Sequence, residues 1–202
     1  MNVAEVMALA PVIPVLVVDD VAHALPIAVA LVAGGIRALE VTLRTTAALE
    51  VIAEMSRVEG AVVGAGTVVN ERQLREALDA GARFIVSPGL TDTVARPALA
   101  SGTAYLPGVA NAGDIMRGLD LGLDRFKFFP AEAAGGRPAL AALAAPFFQC
   151  RFCPTGGITA ATASDWLAMP AVDCVGGSWL VPRGAPDMAA ITALASATAA
   201  RR

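Results

Sequence analysis

Eight short strand-like runs recur along this chain at a nearly even interval, and that beat limits its possible folds more than any other feature. They are PVLVV from Pro14, LEVTL from Leu39, AVVGA from Ala61, RFIVS from Arg83, AYLPG from Ala104, RFKFF from Arg125, RFCPT from Arg151 and VDCVG from Val172. Helical stretches separate them. Asn70 can cap a helix with Gln73 reaching back, Leu74, Ala77 and Leu78 as its inner stripe, and Gly81 at its end. The helix before it is expected to turn Leu49, Ile52 and Ala53 to one side and to stop at Gly60, and a later one to run from Asn111 to Gly122. Strands alternating with helices make parallel β/α units. Eight such units favour closure into a (β/α)8 TIM barrel over the alternative, an open doubly wound sheet. The 202 residues are close to the minimum of about 200 that a barrel needs. No linker or low-complexity tract breaks the beat, so residues 1–202 are expected to form one compact barrel domain.

The composition agrees with that reading and excludes several functions. Apolar residues make up 56% of the chain and charged residues 16%, as expected for strands covered on both faces. The net charge is −3 and the arginines are scattered, so nucleic-acid binding has no electrostatic footprint. The apolar run from Val12 to Val18 follows Pro11, contains Pro14, has no basic lead-in and stops at Asp19-Asp20. It is too short to span a bilayer and does not resemble a signal peptide. Cys150, Cys153 and Cys174 suit a reducing compartment, and a cytoplasmic protein is expected. Cys150 and Cys153 form a C-x2-C pair, but a zinc site needs further ligands and the single histidine, His23, lies far off in sequence. Buried core thiols are the expected reading, with no metal.

Alternation within two strands points to chemistry. From Ala38 to Arg44, Leu39, Val41 and Leu43 share one side, and Glu40, Thr42 and Arg44 the other. In a barrel the apolar side meets the helices and the polar side faces inward. A buried Glu and Arg are costly unless paired or functional. Four residues along a strand separate them by roughly 13 Å, so each needs another partner: a structural ion pair elsewhere, or a substrate. In RFKFFPAE, Phe126 and Phe128 face the helices while Lys127 and Phe129 share the inner face. The opposite phase would leave Lys127 outside as a snorkelling surface residue. The counts argue against that, because Lys and Arg total 15 and Lys127 is the only lysine, leaving fourteen arginines. A surface cation in this chain is almost always Arg. A lone lysine among aromatics suggests a task that Arg cannot perform, namely losing its proton. A neutral amine can attack a ketone and form an iminium that acts as an electron sink.

Two glycine-rich loops suggest a phosphorylated ligand. PTGGI, from Pro154 to Ile158, follows the seventh strand, and GGSW, from Gly176 to Trp179, follows the eighth. Barrels often bind phosphate at these two loops, through backbone N–H groups and a helix N-terminus. GAGT, from Gly64 to Thr67, lacks the third glycine of a dinucleotide fingerprint; it ends a strand and places Thr67 on the rim.

EVTLRT, VGAGTV, SPG, FKFFPAE, RFCPTGGI and GGSWLVP, running in this order from Glu40 to Pro182, closely resemble the class I 2-keto-3-deoxy-6-phosphogluconate aldolase family, which also cleaves 4-hydroxy-2-oxoglutarate. The resemblance covers about Pro11 to Pro182. It implies that Lys127 forms the Schiff base and Glu40 is the general acid/base. It further implies that Arg44 and Thr67 hold the pyruvyl carboxylate, that Pro88 and Phe129 wall the pocket, and that Thr155 meets a substrate hydroxyl. Gly156, Gly157 and Ser178 correspond to the phosphate site. The family is homotrimeric and needs no metal or other cofactor, and its substrate is a small phosphorylated 2-keto acid. The sister 6-phosphogalactonate aldolase differs in the C4 configuration of its substrate. It typically carries Pro-Leu-Asn where this chain has Val41-Thr42-Leu43, which favours the gluconate enzyme. An isomerase-like or catalytically dead phosphate-binding barrel would use Lys127 only as a charge.

Overall fold

The chain forms a (β/α)8 barrel, seen in a computed structural model that describes residues 1–182 and 184–200. The strands are β1 (Val12–Leu16), β2 (Ala38–Thr42), β3 (Val62–Gly66), β4 (Phe84–Ser87), β5 (Ala104–Val109), β6 (Arg125–Phe128), β7 (Arg151–Phe152) and β8 (Val175–Gly177). Each pairs in parallel with its neighbour in sequence from β1 to β7, and β8 pairs back onto β1. Isolated bridges Phe152↔Val172 and Thr155↔Gly176 join the β7 region to the β8 region and close the circle. The helices are α1 (Val3–Met7), α2 (Ala24–Ala33), α3 (Ala48–Met55), α4 (Glu71–Asp79), α5 (Asp92–Ala100), α6 (Ala112–Asp120), α7 (Gly136–Ala144), α8 (Ala163–Leu167) and α9 (Met188–Ala199). Among the described residues no helix is long and apolar enough to cross a membrane.

The punctuation of the sequence explains several helix ends. Asn70 accepts from Gln73 N–H at 2.9 Å, and Gln73 Oε1 accepts from Val69 N–H at 2.9 Å, fixing the start of α4. Asn111 begins α6 in the same way, through Asp114 N–H at 3.1 Å. α3 departs from expectation by one position. Its buried stripe is Ala48, Val51, Ile52 and Met55, while Leu49 is half-buried and Ala53 exposed. Both sets fit a 3.6-residue period, and the rotation that buries Met55 with Val51 removes more apolar surface than one that buries Ala53.

Two apolar layers result. The outer one fills the space between strands and helices with Leu39, Val41, Ile85, Phe126, Phe128 and their neighbours. The inner one fills the floor of the barrel with Ile13, Ala38, Val62, Phe84, Val86, Ala104, Leu106, Cys153 and Cys174. Val6 and Met7 of α1 belong to this inner cluster, so the short N-terminal helix stoppers the floor beneath the first residues of the strands. The Cys150–Cys153 pair is split between the layers. Cys150 belongs to the outer layer and Cys153 to the inner, both buried and free.

Several strand bounds differ from the sequence reading: β2 and β3 move by one residue, β7 stops at Phe152, and β1 and β8 shift furthest. β1 covers 12–16 rather than 14–18, because its early residues pair with β8 (Val12↔Val175, Pro14↔Gly177) before its late ones pair with β2 (Leu16↔Val41). β8 begins only at Val175; the stretch from Val172 serves β7 through its bridge instead.

Candidate active site

Above the apolar floor, polar groups gather at the C-terminal ends of the strands. Glu40, from the middle of β2, and Lys127, from β6, point inward from opposite sides of the barrel. Lys127 Nζ donates to Glu40 Oε1 at 3.1 Å, with only 6% of the lysine side chain and 4% of the glutamate side chain exposed. The predicted phase of β6 is therefore correct: Phe126 and Phe128 are in the outer layer and Lys127 is inside. Two residues further along the same face, the Phe129 ring has its centroid 5.3 Å from Lys127 Nζ.

Room for the glutamate comes from Gly66, at the end of β3. A Cβ there would stand 2.2 Å from Glu40 Oε1 and 2.7 Å from its Cγ. The GAGT segment, read from the sequence as a strand end that places Thr67 on the rim, thus also holds a glycine that the carboxylate needs. Next to it Thr67 adopts φ +63°, a left-handed conformation that is uncommon for a threonine and typical of functional sites. Its Oγ1 accepts from Arg44 Nε at 3.2 Å.

Arg44 is a correction. β2 stops at Thr42, whose hydroxyl donates to Leu16 O at 2.8 Å, and Arg44 N–H turns back to Thr42 O at 2.8 Å. The turn lifts Arg44 onto the exposed rim, so it carries no burial cost; its neighbour Glu40 carries one and meets it with Lys127.

A cavity of about 130 Å³ at the mouth is lined by Arg44, Phe129, Thr155, Gly156, Gly157 and Ser178, together with Val15, Ile158, Gly176 and Gly177. A second, of about 330 Å³, adjoins it through Val15, Arg44 and Ser178 and reaches Val181 and Pro182. Six of the ten residues singled out from the sequence thus line one space. Thr67 joins it through Arg44, and Glu40 and Lys127 through the aromatic wall of Phe129. Pro88 stands on the loop after β4, side chain exposed; Gly108, the register partner of Lys127, lets the Pro88 carbonyl approach to 2.1 Å from where a Cβ would be. Val15 was missed, although its place two residues after Ile13 on β1 puts it on the inner face.

Gly156 (φ +105°) and Gly157 (φ +80°) take backbone conformations that L side chains rarely adopt. Among the described residues, the N–H groups of Gly156, Gly157 and Ser178 have no protein acceptor. Both loops run on before any helix begins, at Ala163 and Met188, so an anion here would meet loop N–H groups and the Ser178 hydroxyl rather than a helix end. Among the described residues no three His, Cys, Asp or Glu side chains cluster as metal ligands.

A barrel with one buried lysine against a carboxylate, opening on a rim arginine and a glycine-lined cavity, has the make-up of a class I aldolase. The comparisons with known proteins agree. Residues 3–194 match the KDPG and KHG aldolase family model. The 2-dehydro-3-deoxy-phosphogluconate aldolase of Zymomonas mobilis is 61% identical over 199 residues, which is 98% of this chain and 96% of that protein. The crystal structure of the Z. mobilis ZM4 aldolase with 3-phosphoglycerate superposes with TM-score 0.98 at 60% identity, covering 100% of this chain and 96% of that one. The KDPG aldolase of Legionella pneumophila, solved with pyruvate captured at low pH as a covalent carbinolamine, has TM-score 0.96 at 43% identity and covers 99% of both chains. The chain belongs to the KDPG and KHG aldolase family.

Proposed function

We propose that this chain reversibly cleaves 2-keto-3-deoxy-6-phosphogluconate to pyruvate and glyceraldehyde 3-phosphate, and also acts on 4-hydroxy-2-oxoglutarate. The observation that carries this reading is the pairing of the sole lysine with Glu40 at 3.1 Å inside the barrel.

The geometry supports the following chemistry. Glu40 is the acceptor in reach of the Lys127 proton. The neutral amine attacks the C2 ketone, and the carbinolamine hydroxyl leaves as water with the proton that Glu40 returns, giving an iminium and restoring the carboxylate. Glu40, through a water, then takes the proton of the C4 hydroxyl. That O–H pair becomes the aldehyde C=O, the C3–C4 bond breaks, and its electrons pass into the iminium to leave an enamine. Glu40 returns a proton to C3, and water hydrolyses the iminium to free pyruvate and Lys127. Arg44 with Thr67 holds the pyruvyl carboxylate, Phe129 and Pro88 wall the pocket, and Thr155 meets a substrate hydroxyl. Gly156, Gly157 and Ser178 hold the phosphate.

Borohydride reduction in the presence of pyruvate tests the covalent step. The expected result is a stable adduct on the peptide carrying Lys127; folded protein without that adduct refutes the assignment. Parallel assays on the two C4 epimers test the substrate, and equal rates would defeat the gluconate preference. The reading extends to residues 1–202 acting as one domain, in a homotrimer, in the cytoplasm, without metal. The family resemblance supports the trimer, and three buried cysteines outside any disulfide support a reducing compartment. Sedimentation giving a monomer, fractionation away from the cytoplasm, or loss of activity on chelation would each overturn its part.

A further inference from the structure

Glu132 has no part in the chemistry above, yet it is tied to the anion cradle from three sides. Its N–H donates to Gly156 O at 3.0 Å, beside the Ala131 N–H to Thr155 O bond at 2.8 Å. Its carboxylate Oε1 accepts from the indole Nε1 of Trp166 at 3.0 Å. A Cβ on Gly157 would fall 2.7 Å from both Cβ and Cγ of Glu132, so the side chain lies directly against the turn. Trp166 is 1% exposed on α8, with its ring centroid 6.4 Å from that of Phe128. The indole is thus a fixed anchor, and α8 is the element that the glycine loop leads into. The loop between β7 and α8 is therefore clamped at two points by one residue of the loop after β6. Asp at 132 would be too short to span both, and an aliphatic residue would leave the buried indole N–H unpaired.

We propose that Glu132 is a positioning residue that holds the Gly156–Gly157 turn in its anion-binding shape through Trp166, and so sets the preference for phosphorylated over unphosphorylated aldols. The proposal rests on the reading that this loop binds the substrate phosphate. Glu132 holds the loop's far end while the open N–H groups face the ligand. Neutralising its charge is harmless so long as an acceptor for Trp166 remains.

Glu132→Ala, Glu132→Gln and Trp166→Phe are compared by steady-state cleavage of the phosphorylated substrate and by exchange of the pyruvate methyl protons in deuterium oxide. The exchange needs Lys127 and Glu40 but no phosphate. Glu132→Ala and Trp166→Phe are expected to raise KM for the phosphorylated substrate about tenfold, the scale of one lost hydrogen bond to a charged group, and to change exchange less than about twofold. Glu132→Gln, whose amide oxygen still accepts from the indole, is expected to restore KM. Exchange and cleavage falling together would reduce Glu132 to a general structural role and overturn the proposal. So would a Gln variant as impaired as the Ala variant, or an unchanged KM in Trp166→Phe, which removes the donor and keeps the ring. Ser178→Ala separates the two levels. If it raises KM for the phosphorylated substrate and Glu132→Ala does not, the clamp fails alone; if neither does, the phosphate reading fails and the clamp with it.

Discussion

A Cβ on Gly66 would stand 2.2 Å from Oε1 of Glu40, the same oxygen that accepts from Lys127 Nζ. The end of β3 and the carboxylate of β2 therefore occupy one another's space, and the lysine pair exists because position 66 has no side chain. Gly66→Ala is expected to push Glu40 from the lysine by about 1 Å and to lower kcat on the order of a hundredfold. Circular dichroism should show the barrel intact. A variant with native kcat would mean that Glu40 works equally well elsewhere.

The Lys127–Glu40 pair is buried on both sides, so removing one partner leaves a charge without compensation. Lys127→Met is expected to destabilise the protein by about 3–5 kcal/mol, and Lys127→Met with Glu40→Gln by much less. Denaturant unfolding of the two variants measures the difference. Glu40→Gln alone should still bind pyruvate, but lose methyl-proton exchange by about 10²–10⁴-fold.

Arg44 sits on the rim with its Nε engaged by Thr67, leaving the two terminal guanidinium nitrogens for a carboxylate. Arg44→Lys keeps the charge and loses the fork. Its KM for pyruvate in the exchange reaction should rise roughly tenfold, on the scale of a charged hydrogen bond. An unchanged KM would assign the carboxylate to another group.

Tyr105 is the only tyrosine. It lies buried in the outer layer, with its hydroxyl 2.7 Å from Ser87 Oγ, and burial pushes its pKa up to about 12 while the Ser87 hydrogen bond lowers it in part. Unfolded, it ionises near 10. Below pH 10 both states keep the proton, and stability is unaffected. Between about pH 10 and 12 the unfolded chain ionises first, and stability falls by on the order of 2–3 kcal/mol. Absorbance titration of the native protein should place the phenol well above 10. In Tyr105→Phe that part of the alkaline loss should disappear.

Much of this was legible from residue order, for a physical reason. Strand parity is strict, so the direction of Lys127, Phe129 and Glu40 follows once β2 and β6 are recognised. Parity ends where the strand ends, and nothing in EVTLRT marks Thr42 as the last strand residue; hence Arg44 was expected inside and is found on the rim. Gly66 and Glu132 stayed silent because their roles depend on contacts between different β/α units, which no local pattern encodes. α1 was not expected, since VAEVM is too short to show a period, although its Asn2–Glu5 capping box could have been read. The phase of α3 failed because Leu49–Ile52–Ala53 and the buried Ala48–Val51–Ile52 satisfy the same spacing.

The helical stopper formed by Val6 and Met7 closes the floor of the barrel on the side away from the mouth cavity. Everything that reacts on Lys127 must then arrive and depart across the same threshold. On the proposed reading, the fragment bearing phosphate is held at the rim, while the pyruvate fragment stays bonded to the lysine beneath it. Departure is therefore single file: the aldehyde first, pyruvate last. In the synthetic direction the queue reverses, and an aldehyde that enters before pyruvate stands in its way.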